Sequence, residues 1–200
     1  MTDYRFARPG EEDEILDLIN AVFSQKARPH DFAVLLPKVY AHPGFSRLHA
    51  VAEVDGRIRG TVAMLPVDIK MGREAETLRG GYIGSVAVHP RYQKQGHMRA
   101  LMEMQAQRAR QMGLDFMALG GQRQRYNYYG FEKAGLALTF FVTSANVRHA
   151  LKDVIPAEIV PIPKPDSPDM DALYALYEAQ PSRVLRPREL FYDTLRTYNS

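Results

Sequence analysis

Residues 88–110, VHPRYQKQGHMRALMEMQAQRAR, close an apolar run, break at Pro90, gather basic residues around Gly96 and resume at helical spacing. Beyond the turn Met98, Leu101, Met102, Ala106, Ala109 and Met112 recur every three to four residues, and Gly113 stands where a helix C-terminal cap belongs. Upstream, Ile83 to Val88 reads as a buried central strand, and downstream Leu114 to Leu119 reads as another. Strand, glycine turn, helix and strand make a crossover unit, which predicts two parallel neighbours with the turn at their C-terminal edge. Open α/β sheets bind ligands at that edge.

Outward from this unit, Tyr4 to Ala7 alternates and ends at Pro9-Gly10, the pattern of a short first strand. Ile15, Leu16, Leu18, Ile19, Val22 and Phe23 then recur at helical spacing behind the acidic start Glu11 to Glu14, which suits a helix N-terminus. A second helix is predicted over Asp31 to Tyr40. His49 to Glu53 and Ile58 to Pro66 flank Asp55-Gly56, a strong hairpin signal. Val67 to Lys70 and Thr77 to Gly80 predict a further hairpin that leads into the central strand.

The 200 residues, 46% hydrophobic and 24% charged, suffice for one α/β domain with a real core and part of a second. No run approaches the roughly 18 apolar residues of a membrane span. The N-terminus MTDYRFARPGEEDE lacks the apolar core of an export signal. A cytoplasmic address without membrane association is expected. Zero cysteines exclude disulfides, thiolate metal sites and a cysteine nucleophile. The six histidines show no i, i+4 pair with an accompanying carboxylate, so no metal is expected. A net charge of +3 and a pI near 9.1, with the arginines spread out, are too mild to imply a nucleic-acid partner.

Gly96 lets the backbone curl and approach a ligand closely, and the amides from Gln95 to Met98 are the free donors of a helix N-terminus. Such a nest attracts an anion, and Arg91, Lys94 and Arg99 add positive charge beside it. Equally, Gly96 could simply start the helix while the basic residues form a solvated rim. No Gly-Lys-Ser/Thr follows, and the three-glycine dinucleotide fingerprint is absent, which weighs against nucleoside triphosphates and NAD.

The stretch SVAVHPRYQKQGHMRAL resembles the acyl-CoA signature of the GCN5-related N-acetyltransferase (GNAT) family, Q/R-x-x-G-x-G/A, on Gln93, Gly96 and Met98. The order of elements through YNYYGFEKAG extends the resemblance over roughly residues 3–145. Met98 stands where most members have glycine or alanine, and a longer side chain there could crowd a pyrophosphate. The chain is most similar to the tandem-domain branch of the enhanced-intracellular-survival (Eis) acetyltransferases, in VAVHP, in the glycine followed by larger residues and in the Tyr-x-x-aromatic-Gly-Phe ending.

The resemblance implies the α/β acyl-CoA N-acyltransferase fold, a mixed twisted sheet flanked by helices, with acetyl-CoA as cosubstrate and no metal. It implies that Val86, Ala87 and Val88 offer main-chain groups to the pantetheine arm and thioester carbonyl. Gln93, Lys94, Gln95, Gly96, His97 and Met98 would cradle the pyrophosphate, and Gly121 with Gln122 would flank the arm. The side chains of Val86 and Val88 pack in the core in either case. At Tyr126, four residues before Gly130, the family places the tyrosine that protonates the coenzyme A sulfur. A phenol with a reference pKa of about 10 holds its proton at neutral pH and can serve as that acid. Tyr128 and Tyr129 are rivals in sequence, and any aromatic of this cluster is also a candidate lining residue.

No base is assigned. Tyr82 stands where several members carry glutamate, no carboxylate lies between Gly81 and Val88, and Glu53 and Glu132 are either water-linked relays or solvated surface. In the Eis-like branch the C-terminal carboxylate of a longer chain takes part in deprotonating the amine. Without cysteine, direct transfer in a ternary complex to a small-molecule or peptide amine is the expected route. A non-catalytic acyl-CoA sensor or scaffold and a nucleotide-phosphate binder are the rival readings.

From within the proline-rich stretch Val154 to Asp171 onward, the segments EIVPIP, ALYALY and LRPRELFYDTL repeat the type and order of YRFARP, ILDLIN and ARPHDFAVLL near the start. Arg186-Pro187 answers Arg28-Pro29. Residues 1–150 are expected to form the acetyltransferase domain, and residues 151–200 either two closing helices or the start of a second, similar domain. A severed second domain would leave Leu173, Tyr177, Leu190, Phe191 and Leu195 with an apolar face to cover, which predicts packing back on the first domain or self-association into a homo-oligomer.

Overall fold

The computed structural model describes residues 1–25, 29–72, 76–135, 143–151 and 161–197. β1 (Thr2–Phe6) leads to α1 (Glu12–Ser24), whose first turn sets Glu12, Asp13 and Glu14 at the positive end of its dipole. Two short helices follow, α2 (Phe32–Leu35) and α3 (Pro37–Tyr40), where the sequence predicts one. Leu36 between them has φ −129° and ψ 58°. The Pro37 ring disfavours a helical residue before it, so the helix stops and restarts with the proline in its first turn. β2 (His49–Val54) and β3 (Arg57–Pro66) form the predicted hairpin, with Asp55 and Gly56 at φ 50° and 74°, both positive as a type I′ turn needs. There follow β4 (Ile69–Met71), β5 (Thr77–Leu78), β6 (Gly80–Val88), α4 (His97–Gln111) and β7 (Phe116–Leu119). The chain continues through α5 (Arg123–Tyr126), α6 (Ser144–Leu151), α7 (Pro168–Glu178), β8 (Ser182–Val184) and α8 (Phe191–Arg196).

The main sheet has the order β1-β2-β3-β6-β7 and is mixed, because β6 and β7 are parallel, as the crossover demands, and the other pairs are antiparallel. The parallel pairing is short: Gly80 to Ile83 face Phe116 to Leu119, and among the described residues no strand pairs with β6 on that side from Gly84 onward.

Against β3, the strand β6 carries a bulge. Thr61 faces Ala87 and Ala63 faces Gly84, so Ser85 and Val86 together oppose Val62, and Ser85 takes φ 47°. The extra residue reverses the alternation of sides. Ile83 packs with Ala50, Ala52, Val62, Leu101 and Met102 in the α4 cluster, whereas Ala87 joins Ile15, Leu18, Ile19 and Tyr40 in the cluster of α1 to α3. Leu101, Met102 and Ala109 of α4 are buried as predicted, while Met112 is exposed. Two polar side chains share the buried face, His97 and Gln105, and Gln105 Nε2 donates to the carbonyls of Leu48 (3.0 Å) and Val62 (2.7 Å).

A small second sheet, β5-β4-β8, fastens residues from the tail to the segment after β3. Val184 faces Ile69, and the Leu185 amide donates to the Asp68 carbonyl at 2.7 Å. Met170 and Phe191 are buried, and the rings of Tyr174 and Tyr177 sit 5.0 and 5.2 Å from that of Phe191. α8 packs against α3, with His42 Nε2 2.9 Å from Asp193 Oδ2. Of the repeat noted in the sequence, Arg28 and the first half of EIVPIP lie outside the described residues. Among the described residues no helix is long and apolar enough to cross a membrane.

Candidate active site

The edge that β6 shows beyond Ile83 opens onto one continuous cavity of about 1970 Å³. Its lining comes from β6, the start of α4, α5, α3 and the tail around β8 and α8. At one end stands the glycine turn. Lys94 and Gly96 both have positive φ, 63° and 85°, and no side chain caps α4, so the amides of its first turn remain available. A Cβ built on Gly96 would meet nothing within 4 Å, which leaves the turn open to an incoming group. An uncapped helix start, an open glycine turn and an unpaired strand edge fit the pyrophosphate and pantetheine arm of an acyl-CoA.

Val86, Val88, Gln93, Lys94, Gly96, His97, Met98 and Tyr126 all line this cavity. The Gln93 side-chain amide donates back to the Val88 carbonyl at 3.3 Å. His97 is 4% exposed, with Nδ1 2.9 Å from the Tyr4 hydroxyl and Nε2 buried without a partner, so β1 holds its ring. Met98 packs against the α4 core cluster while also lining the cavity. Ala87 is 1% exposed and lies in the core. Gln95 is exposed and its side-chain amide donates to the Arg91 carbonyl, and Gly121 and Gln122 are exposed and outside the lining.

Tyr126 closes α5 and packs partly buried against the α4 cluster. A Cβ on Gly121 would lie 2.6 Å from Tyr126 Cε2, so the ring owes its place to the missing side chain. Burial raises the Tyr126 phenol above its usual pKa, against an opposing pull from Arg125, and the group keeps its proton at neutral pH. Tyr128 is 86% exposed and outside the lining, while Tyr129 lines the cavity. The carboxylates considered as relays are engaged elsewhere. Glu53 pairs with Arg5 (2.5 Å), and Glu132 pairs with Arg123 (2.8 Å), which lowers its pKa. Neither lines the cavity.

A buried polar chain also reaches the site. Ser85 Oγ, on the bulge, lies 2.5 Å from the Tyr40 hydroxyl, which is 3.4 Å from His49 Nε2. His49 Nδ1 is 2.7 Å from Thr61 Oγ1, and Thr61 donates to the Ala50 carbonyl. Because Thr61 gives away its only proton, it accepts from His49 Nδ1–H, and Nε2 is left as an acceptor facing Tyr40. Burial lowers the His49 pKa to about 3 and raises that of Tyr40, so the whole chain is neutral at ordinary pH. No local sequence signal marks it, because its members come from α3, β2, β3 and β6.

The chain matches the family profile for the acetyltransferase (GNAT) domain over residues 3–134. Among solved structures it is similar to a GNAT family acetyltransferase from Brucella melitensis in complex with acetyl-CoA, at 26% identity and a TM-score of 0.55 over 66% of this chain and 84% of that one. A "predicted acetyltransferase with acetyl-CoA" from Clostridium acetobutylicum shares the fold at 20% identity, with a TM-score of 0.59 over 70% of this chain and 96% of that one. Eis1 from Mycobacterium abscessus shares it at 17% identity, with a TM-score of 0.63 over 98% of this chain. The chain spans 47% of the Eis1 structure, and 32% and 31% of two other solved neighbours. No curated protein matches it.

Proposed function

This chain belongs to the GNAT acetyltransferase family, and from that membership we propose that it transfers the acetyl group of acetyl-CoA to a primary amine directly, in a ternary complex. The observation that carries this reading is the opening between β6 and β7, with Tyr126 beside it and the uncapped start of α4 at its end. Acetyl-CoA brings an activated acyl carbon and a thiolate leaving group. Main-chain groups of Val86, Ala87 and Val88 orient the arm along the free edge, with Gly121 and Gln122 on its far side. The turn from Gln93 to Met98 holds the pyrophosphate through amides and the Lys94 charge.

The amine nitrogen forms the new C–N bond as the C–S bond breaks, and Tyr126 gives its phenolic proton to the departing sulfur. The proton lost by nitrogen passes to water and restores the phenol. Glu53 and Glu132 take no part, being held by Arg5 and Arg123. That both carboxylates considered as relays are engaged elsewhere favours a second reading, an acyl-CoA-binding module without turnover.

In this reading residues 1–150 are the catalytic domain, and residues 151–200 are a linker and two helices, either closing that domain or belonging to a second, similar one. The likeness to Eis1 over 98% of the chain supports this. The absence of cysteine suits a cytoplasmic setting.

Calorimetric titration with coenzyme A, acetyl-CoA and ATP, followed by a thiol-release assay over a panel of amines, tests the proposal. Both coenzyme A species are expected to bind and ATP is not. Tyr126→Phe should lower kcat by about a hundredfold while leaving acetyl-CoA affinity nearly unchanged. Undiminished turnover removes the role of Tyr126. Binding without thiol release for any amine supports the second reading.

A further inference from the structure

The tail meets the main domain at the β4 side, next to the Gly81 end of β6, whereas α4 begins beyond its Val88 end. The strand between spans roughly 25 Å, so the tail walls the part of the cavity remote from the glycine turn. Two cations line this part, Lys38 on α3 and Arg186 after β8, both half-buried. Lys38 makes no hydrogen bond or ion pair among the described residues, and Arg186 makes no ion pair. Burial and the nearby Arg186 charge both push the Lys38 ammonium below its ordinary pKa.

Arg186 is held in place. Its Nε donates to the Tyr177 hydroxyl at 3.0 Å, and its carbonyl accepts from Tyr174 at 2.8 Å, which leaves both terminal nitrogens of the fork uncommitted. The carboxylates that share the lining do not neutralise the pair. Glu178 is tied to Arg183 at 2.8 Å, Asp68 accepts from the Gly80 amide at 3.3 Å, and Glu189 is exposed and makes no ion pair. The nearby His42 is matched by Asp193.

Half-buried cations without a counter-charge are costly, and an ammonium beside an oriented guanidinium fork is the arrangement that grips carboxylate or phosphate. We infer that Lys38 and Arg186 form an anion subsite in the acceptor part of the cavity, so that the acceptor is an amine bearing a carboxylate or phosphate. The inference rests on the acetyl-transfer reading and adds the substrate class to it. The same two charges repel a polyamine and disfavour a protonated nitrogen beside them, which favours the neutral amine that attack requires.

Thiol release is measured with glycine, glutamate and phenylalanine against their amides, with phosphoethanolamine against ethanolamine, and with spermidine. In parallel, N-acetylphenylalanine and its amide are titrated into the chain. Each anionic amine is expected to exceed its neutral counterpart by about tenfold or more in kcat/KM, and the better of the carboxylate and phosphate arms identifies the anion. Lys38→Gln and Arg186→Gln should each raise KM for the anionic acceptor about tenfold, with acetyl-CoA affinity kept within about twofold. Preference for amides or spermidine overturns the inference. So does unaltered preference in both variants, or a matching loss of acetyl-CoA affinity, which would assign the cations to the cosubstrate. If the chain binds no acetyl-CoA, the acetyl-transfer reading fails, while the N-acetylphenylalanine titration still decides the anion subsite.

Discussion

His49 is fully buried and neutral, and it gives the chain a pH dependence of known sign. The unfolded chain takes up this proton below about pH 6.5, the folded chain only near pH 3, so stability falls as the pH drops through that window. The slope attributable to one proton is roughly 1.4 kcal/mol per pH unit. Urea midpoints at descending pH should decline from neutrality downward, and His49→Gln should flatten the upper part of that decline. An equal slope in the variant would place the cause elsewhere. Gly121 supports a second expectation. Gly121→Ala forces a methyl into the Tyr126 ring and should lower kcat by about tenfold or more, with Tyr126→Phe adding little on top of it. Additive losses would separate the two residues. The place of Tyr126 came from the family resemblance, whereas Gly96 was readable from its own segment, a glycine between a basic turn and a helical pattern. The link from Ser85 to His49 was not, because each partner is ordinary in its own segment and only the folded sheet brings them together.

Helix α4 and its turn were legible because helical periodicity, a glycine before and a glycine after all agree. Gly96→Ala puts a side chain at φ 85°, which should cost about 1–2 kcal/mol in unfolding free energy and weaken acetyl-CoA binding, checked by urea titration and calorimetry. Gln105→Leu strips the buried Val62 carbonyl and the part-buried Leu48 carbonyl of this donor and should cost about 1–3 kcal/mol in the same titration, although it makes the helix face more apolar. Strand β6 shows where period-two reasoning stops. Ile83 and Ala87 share parity and yet face opposite clusters, because the bulge at Ser85 inserts a residue that composition does not announce. The break at Leu36 was signalled by Pro37, but the apolar spacing runs across it and suggested one helix.

In the main sheet the β2-β3 and β6-β7 pairings follow from the hairpin and the crossover, both local in sequence, whereas β1-β2 and β3-β6 join segments that neither unit links. The small sheet that joins β8 to β4 pairs residues more than a hundred positions apart, and no pattern in either segment names the other. Phe191→Ala should therefore act on one part of the molecule, costing about 3–5 kcal/mol where the tail packs and raising KM for the acceptor while acetyl-CoA affinity holds. A parallel loss of both affinities would show the cavity to be one unit. The seating of the tail on a three-residue strand pair has a consequence for descent. The residues proposed to hold the donor come from one stretch of chain, Val86 to Tyr126, and the opposite wall joins α3 to the tail. Mutation and recombination can then revise the acceptor range of such a molecule without reopening the question of its donor, so that lineages can diversify in diet while keeping a common currency.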